Sequence, residues 1–277
     1  MKKTTYIMMG MLVATVCLIV GGVAFWSTQG DERVSSLITL KGKEKVLSLP
    51  ACKYVMVKKE GMHNVEVKPG IVESYHNFVL ENDFQLVGTE ESAPALKIAS
   101  DLEPFIRTEL QGDTLVIGIS TPCNQWPEGL DERRFLRVST SPVSLLLPKE
   151  VSLLNVDLNI HRANLLQLNR PKFTVDFSTN VEVNHCNFDT LVIENTSYIH
   201  LNKGRADHLY VNSDRVRNWQ VNADSFDIDT EYIKGSHFVR NQISSKECRR
   251  LIYMPTGPDA KLQLEVTEPV EVIMKDK

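Results

Sequence analysis

The sequence predicts an all-β fold, a single-stranded β-solenoid with coils of about 18 residues, preceded by an N-terminal transmembrane or signal helix. Three observations predict it. There is an apolar leader, then a long series of short alternating segments, then a repeat whose period is shared by two separate strand positions.

The leader comes first. Tyr6 to Trp26 is apolar, Lys2 and Lys3 precede it, and Asp31 and Glu32 follow it. Positive charge on the N-terminal side keeps that end in the cytoplasm and sends the body across the membrane. At about 1.5 Å per residue the segment reaches roughly 30 Å as a helix, enough to span the hydrocarbon core. Phe25 and Trp26 stand where an interfacial aromatic belt belongs. Gly22, Val23 and Ala24 form a small-x-small pattern open to signal peptidase, so a cleaved export signal competes with the favoured reading, an uncleaved anchor. The expected layout is an anchor and short linker over 1–33 and an exported β domain over 34–277.

Strands begin near Val34. Val46 to Leu49, Tyr54 to Val57, Val65 to Val67, Phe84 to Val87, Leu96 to Ile98 and Leu115 to Ile119 are short and mostly alternating. Alternation sends successive side chains to opposite faces. Pro69-Gly70, Asn82-Asp83 and Gly112-Asp113 punctuate them as turns. Pro122 to Arg134, with two prolines and several charges, reads as a surface loop. It separates a strand-rich part, 34–135, from the repeat, 136–277.

The repeat aligns Leu154, Phe173, Leu191, Leu209 and Phe226, at spacings of 19, 18, 18 and 17. Two residues after each stand Val156, Val175, Ile193, Val211 and Ile228, all β-branched and suited to a strand interior. A second strand keeps the same period: Ala163 and Leu165, then Val181 and Val183, then Ile199 and Leu201. Trp219 and Val221 follow with two residues extra. So short a period excludes helical repeats and propeller blades and suits a solenoid, whose aligned residues form an internal apolar ladder. An antiparallel sandwich with regularly recurring strands is the competing fold. The tail, Leu262 to Val266 and Val270 to Ile273, reads as a capping strand pair around Pro269, since exposed edges invite aggregation.

Composition narrows the function. The chain of 277 residues is 42% hydrophobic and 24% charged, which describes a folded protein. Its net charge is −4, and setting aside Lys2 and Lys3 leaves −6 on the exported part. Such a body repels phosphate backbones and has no basic stripe with interleaved aromatics, so nucleic acid is not an expected partner. Cys52, Cys123, Cys186 and Cys248 lie beyond the leader. An oxidising compartment permits bridges in three connectivities, and buried free thiols fit equally well. Their wide spacing argues against a zinc site.

Enzymatic signatures are missing: the sequence contains no HExxH, P-loop, GxSxG or GxGxxG. His185 and Cys186 are neighbours, but adjacent strand residues face opposite ways, so they read as surface or corner residues rather than a nucleophile and its base. One constellation is more suggestive. Three residues beyond each ladder position stand Asp157, Asp176, Glu194, Asn212 and Asp229. Stacked coils would set this outward column about 4.8 Å apart, and its like charges need an offset. A calcium ion held by Asp157, Asp176, Glu194 and Asp229 would supply one, as would solvent or neighbouring basic residues. Otherwise no cofactor is expected. A carbohydrate-cleaving β-helix enzyme also carries acids on one face, but it needs a pair at a defined separation in a cleft, which a regular column lacks.

The repeat, its lead-in from Leu136 to Val138 through Leu145 to Pro148, and the segment Ile106 to Ile117 resemble the autotransporter adhesin head GIN domain family of exported Bacteroidetes proteins. Gly112, Leu115 and Ile117 follow that family's Gly-x-x-Leu-x-Ile pattern. The likeness covers Val34 to Lys277, with Asn, Asp, His and Arg at turns where the family uses Gly and Ser. It implies an exported protein and carries over no catalytic residue. Asp113-Thr114-Leu115 and Asp189-Thr190-Leu191 are similar to the short O-glycosylation acceptor of Bacteroidetes. The expected function is a non-enzymatic cell-envelope module for binding, adhesion or scaffolding. It would meet the membrane through Tyr6 to Trp26 and a protein or glycan along one face. The alternatives are a periplasmic sensory or regulatory module with a membrane partner, or a carbohydrate-active enzyme.

Overall fold

The computed structural model describes residues 15–16, 20, 37–40, 42–60, 63–68, 71–75, 78–120, 136–158, 160–243 and 246–275. Of the leader, only Thr15, Val16 and Val20 are described, and they are helical. The rest of the predicted span, Tyr6 to Trp26, lies outside the described residues, as do the loop Pro122 to Arg134 and Cys123. Among the described residues no helix is long and apolar enough to cross a membrane. The strands belong to the larger of two compact units, Ser36–Trp126 with Glu132–Lys277.

This unit is all β. Its first strands are β1 (Leu37–Thr39), β2 (Glu44–Ser48), β3 (Tyr54–Lys59), the hairpin β4 (His63–Lys68) and β5 (Ile71–Tyr75), β6 (Phe78–Leu80), β7 (Phe84–Thr89), β8 (Ala95–Ala99), β9 (Ile106–Gln111) and β10 (Thr114–Ile119). Then come β11 (Leu136–Ser139), β12 (Val143–Pro148), β13 (Ser152–Asp157), β14 (Arg162–Leu166), β15 (Asn169–Asp176), β16 (Asn180–Asn195), β17 (Tyr198–Asn212) and β18 (Trp219–Val221). The last are β19 (Phe226–Gly235), β20 (Phe238–Ile243), β21 (Cys248–Pro255), β22 (Lys261–Val266) and β23 (Glu271–Met274).

The repeat is a β-solenoid. β14 and β15 both pair in parallel with β16, and β16 pairs with β17 along nearly its whole length. Each long strand therefore covers two sides of a coil and turns a corner between them. Gln167 and His185 occupy equivalent corner positions with φ of 55° and 56°. At the next corner stands Gly204, with φ of 140°. A Cβ there would lie 1.9 Å from the Cys186 carbonyl oxygen, so this corner admits glycine alone. Cys186 fills the inside of its own corner, wholly buried.

Two predicted columns form in register. Ala163, Val181, Ile199 and Trp219 align, as do Leu165, Val183, Leu201 and Val221, and Phe84 and Leu86 of β7 extend both. On the longer side Phe173, Leu191 and Leu209 stack, beside Val175, Ile193 and Val211. The predicted ends of that ladder differ. Leu154 sits at a bulge between Leu153 and Asn155 and is 47% exposed, while Val156 is buried. At the far end Phe226 pairs with Gly204 and Ile228 with Ala206, so the partner of Leu209 is Glu231 and that of Val211 is Ile233. The cause is a longer coil. Turns at Asn212–Arg215 and Asn222–Ser225 lengthen it, so the 18-residue register up to β17 does not continue into β19.

The first half of the chain builds coils of the same solenoid out of sequence order. β3 lies between β10 and β13, and β7 between β12 and β14, all in parallel. The coil carrying β10 and β12 therefore stacks on one side of the coil carrying β3 and β7, and the coil carrying β13 and β14 on the other. Between β12 and β13 the chain steps over a whole coil. Arg170, buried in the column of Phe188 and Ala206, secures that step. Its guanidinium donates to the carbonyl oxygens of Val151 and Pro148, both at 2.5 Å, and of Lys149 and Leu147, at 3.2 and 3.3 Å. At the C-terminal end β22 pairs with β20 and β23 with β21. The two tail strands thus extend separate stacks and do not pair with each other.

Candidate functional site

The structure brings only part of the expected outward column together. Asp157 lies beside Lys59, with 3.8 Å between carboxylate and ammonium. A bulge between Val175 and Asp176 sets Asp176 against Asn195, which donates to it at 3.1 Å, and moves Glu194 out of line. Glu194 and Asn212, neighbours in the expected column, do meet, and Asn212 donates to Glu194 at 3.0 Å. Asp229 meets Arg249 at 3.5 Å. Each carboxylate is offset separately, and no group of three or more His, Cys, Asp or Glu among the described residues could hold a metal ion. Amide and basic neighbours stand beside these carboxylates.

Cys52, Cys186 and Cys248 are free thiols. Burial pushes all three upward in pKa, Cys186 to about 11, which leaves them poor nucleophiles at neutral pH. His185 is exposed at its corner while Cys186 points inward. The pair has no catalytic geometry.

Two other places carry chemistry. The first is the outer surface of the long side. Leu209 and Val211 point into the core, so Tyr210 between them points out, as does Tyr232 one coil on. Their rings stack with centroids 4.2 Å apart and planes 6° from parallel, and His208 meets the Tyr232 ring edge-on at 5.9 Å. Lys172, Val192, Glu194, Asn212, Lys234 and Met254 complete a shallow groove of about 420 Å³ around them.

The second is a cavity of about 440 Å³ against β18. Glu231 lines it, 3% exposed, and its Oε1 accepts the Trp219 indole N–H at 2.8 Å. Glu247, Arg240 and Glu265 share the cavity with the β18 residues. Burial, and secondarily the charge of Glu247, push the Glu231 carboxyl up to about 7, against the Trp219 hydrogen bond, which lowers it. Burial also raises Glu247. A period near 18 hides Glu231 by assigning its column to Phe226, 17 residues after Leu209. The readable signal was the two extra residues before Trp219, which already lengthen that coil.

No family model matches the chain, and no curated protein matches its sequence. Solved structures resemble it over most of its length at low identity. A candidate adhesin from Parabacteroides distasonis is 13% identical, with 86% of this chain and 100% of that chain covered and a TM-score of 0.37. A candidate lipid-binding protein from the same organism is 11% identical, covering 87% and 100%, with a TM-score of 0.37. A candidate adhesin from Bacteroides fragilis is 8% identical, covering 85% and 100%, with a TM-score of 0.35.

Proposed function

We propose that the protein is a non-enzymatic binding module of the cell envelope, of the kind found in the GIN domain adhesin heads that its sequence resembles, and that it engages a glycan or protein along the outer long side. The observation that carries this is the Tyr210–Tyr232 stack, held on a rigid parallel sheet and flanked by lysine, carboxylate and carboxamide groups. Stacked rings on a rigid support offer contact area without much conformational entropy to lose. Among the described residues the raised Glu231 and Glu247 carboxyls are the features that suit acid catalysis. One Glu231 oxygen is held by the Trp219 indole, and the sequence carries none of the catalytic motifs that would accompany such an acid. The exported location rests on the apolar leader.

An array of immobilised bacterial and host glycans, together with envelope extracts, tests the reading. Binding by the full chain should be lost in Tyr210→Ala/Tyr232→Ala, with the fold checked by circular dichroism. Binding retained by the double variant would place the site elsewhere, and cleavage of an arrayed glycan would overturn the non-enzymatic assignment.

A further inference from the structure

On one side of the solenoid the parallel pairing is interrupted. Along it pair β14, the first halves of β16 and β17, and then β18, beyond which no described strand pairs with β18. The following coil passes from β19 through β20 to β21, and β20, which succeeds β18 in the coil order, does not pair with it. The cavity of about 440 Å³ is lined by β18 and by Arg240 of β20, the two strands that do not pair. A core position of β19 also faces this volume, and the residue at that position is Glu231.

The charges around this volume do not balance. Arg240 and Glu265 compensate one another across 3.9 Å. Glu231 and Glu247 have no cationic partner among the described residues, and the charge of Glu247 raises the cost of ionising Glu231. The indole of Trp219 occupies Glu231 Oε1, and Oε2 has no hydrogen-bond partner among the described residues. A neutral ligand could meet that oxygen but would leave the two carboxyls repelling. A metal ion needs a denser oxygen set than any found among the described residues. An alkylammonium group answers both needs, because it brings one positive charge and three N–H donors at the end of an apolar stem. Trp219 and Val221 provide apolar surface for that stem, and an indole ring also attracts cations.

We propose that this cavity, bounded by Glu231, Trp219 and Glu247, binds a primary ammonium group on a short aliphatic chain. The chain belongs either to a free polyamine or to a lysine side chain, and the ammonium contacts are the same in both. The groups facing Glu231 are Trp219 from β18, Arg240 from β20, Glu265 from β22, and Glu247 with the Cys248 thiol at the start of β21. Burial keeps the thiol neutral, so Glu231 and Glu247 are the groups that lose protons when the cation arrives. Affinity therefore rises with pH.

Titration calorimetry of the full chain with spermidine and with a blocked lysine amide tests this, with glucose and calcium chloride as controls. Amine binding should strengthen about tenfold or more between pH 5.5 and pH 8, with proton release visible as heats that differ between buffers. Preference for spermidine or for the lysine amide identifies the source. Glu231→Gln retains an acceptor for Trp219 and should abolish binding. If that variant fails to fold, Glu247→Gln at the half-buried wall should weaken binding about tenfold, as loss of one charge-assisted hydrogen bond does. Tyr210→Ala/Tyr232→Ala should leave amine binding intact, so the outer-face reading and this one fail separately. No amine binding at millimolar concentration, unchanged binding by the Glu231 and Glu247 variants, or binding of glucose or calcium in place of the amines would overturn the proposal.

Discussion

Glu231 occupies the position held by Leu209 in the preceding coil and by Leu251 in the next. A carboxyl in that setting is easier to bury neutral than charged, which is why its pKa is raised from 4.5 to about 7. Between those two values the unfolded chain has given up the proton while the folded chain still holds it, so stability falls as pH rises through this window. Above about pH 7 the loss levels off at about 3 kcal/mol. Glu231→Leu should remove this slope. At pH 8 it should stabilise the fold by about 2 kcal/mol net, since the stranded Trp219 indole offsets part of the gain. Urea unfolding at pH 5 and pH 8 measures the difference, and equal pH dependence in wild type and variant would contradict the assignment. Reading this residue from sequence required the coil length, because two apolar side chains nearby, Phe226 and Ile228, satisfy an 18-residue period while belonging to other columns.

At the scale of elements, the corners and the step between β12 and β13 decide the path of the chain. Most corners were illegible. Gln167 and His185 adopt left-handed backbone without being glycine, whereas Gly204 and Gly88 stand where a Cβ would press on a neighbouring carbonyl oxygen. The second strand of each coil was legible, because burial on one face imposes strict alternation through Ala163, Val181 and Ile199. The step depends on Arg170, whose single guanidinium fork serves four carbonyl oxygens from Leu147 to Val151. Burial lowers its pKa from the usual arginine value, with Glu150 opposing, yet no other side chain presents donors in so wide a fork. Arg170→Lys keeps the charge but cannot reach all four acceptors and should cost about 2–3 kcal/mol, and Arg170→Met should cost more. A lowered urea midpoint with an unchanged slope is the expected observation. A midpoint within experimental error of wild type would mean that other contacts hold the step.

The order of coils in the whole molecule could not be read from the repeat at all. Parallel pairing of β7 with β14 joins residues such as Phe84 and Ala163, whose short apolar strands look like many others in the first half of the chain. Only the downstream part, where neighbours in sequence are neighbours in space, announces itself as periodic. That difference has a consequence for stability. In a linear stack each coil is held by its two neighbours, so local opening is cheapest at an end with one neighbour missing. β16 and β17 are paired on both sides, with Leu191, Ile193, Ile199, Leu201 and Leu209 fully buried. β23 has one described partner, and its Val272 and Met274 are 41% and 64% exposed although they continue the Leu251 and Tyr253 columns. Hydrogen exchange should accordingly be graded. Amides of β22 and β23 exchange first, those of β19 and β21 later, and those of β16 and β17 last. The coils on the other side of β14 should not repeat this gradient, because the step between β12 and β13 ties three of them into one cooperative unit. Their amides should exchange together, and Arg170→Lys should accelerate all of them at once. Mass spectrometry of peptides from β3, β7, β10 and β12 distinguishes the outcomes: a common shift supports the tied unit, and independent rates would show that these coils open one by one.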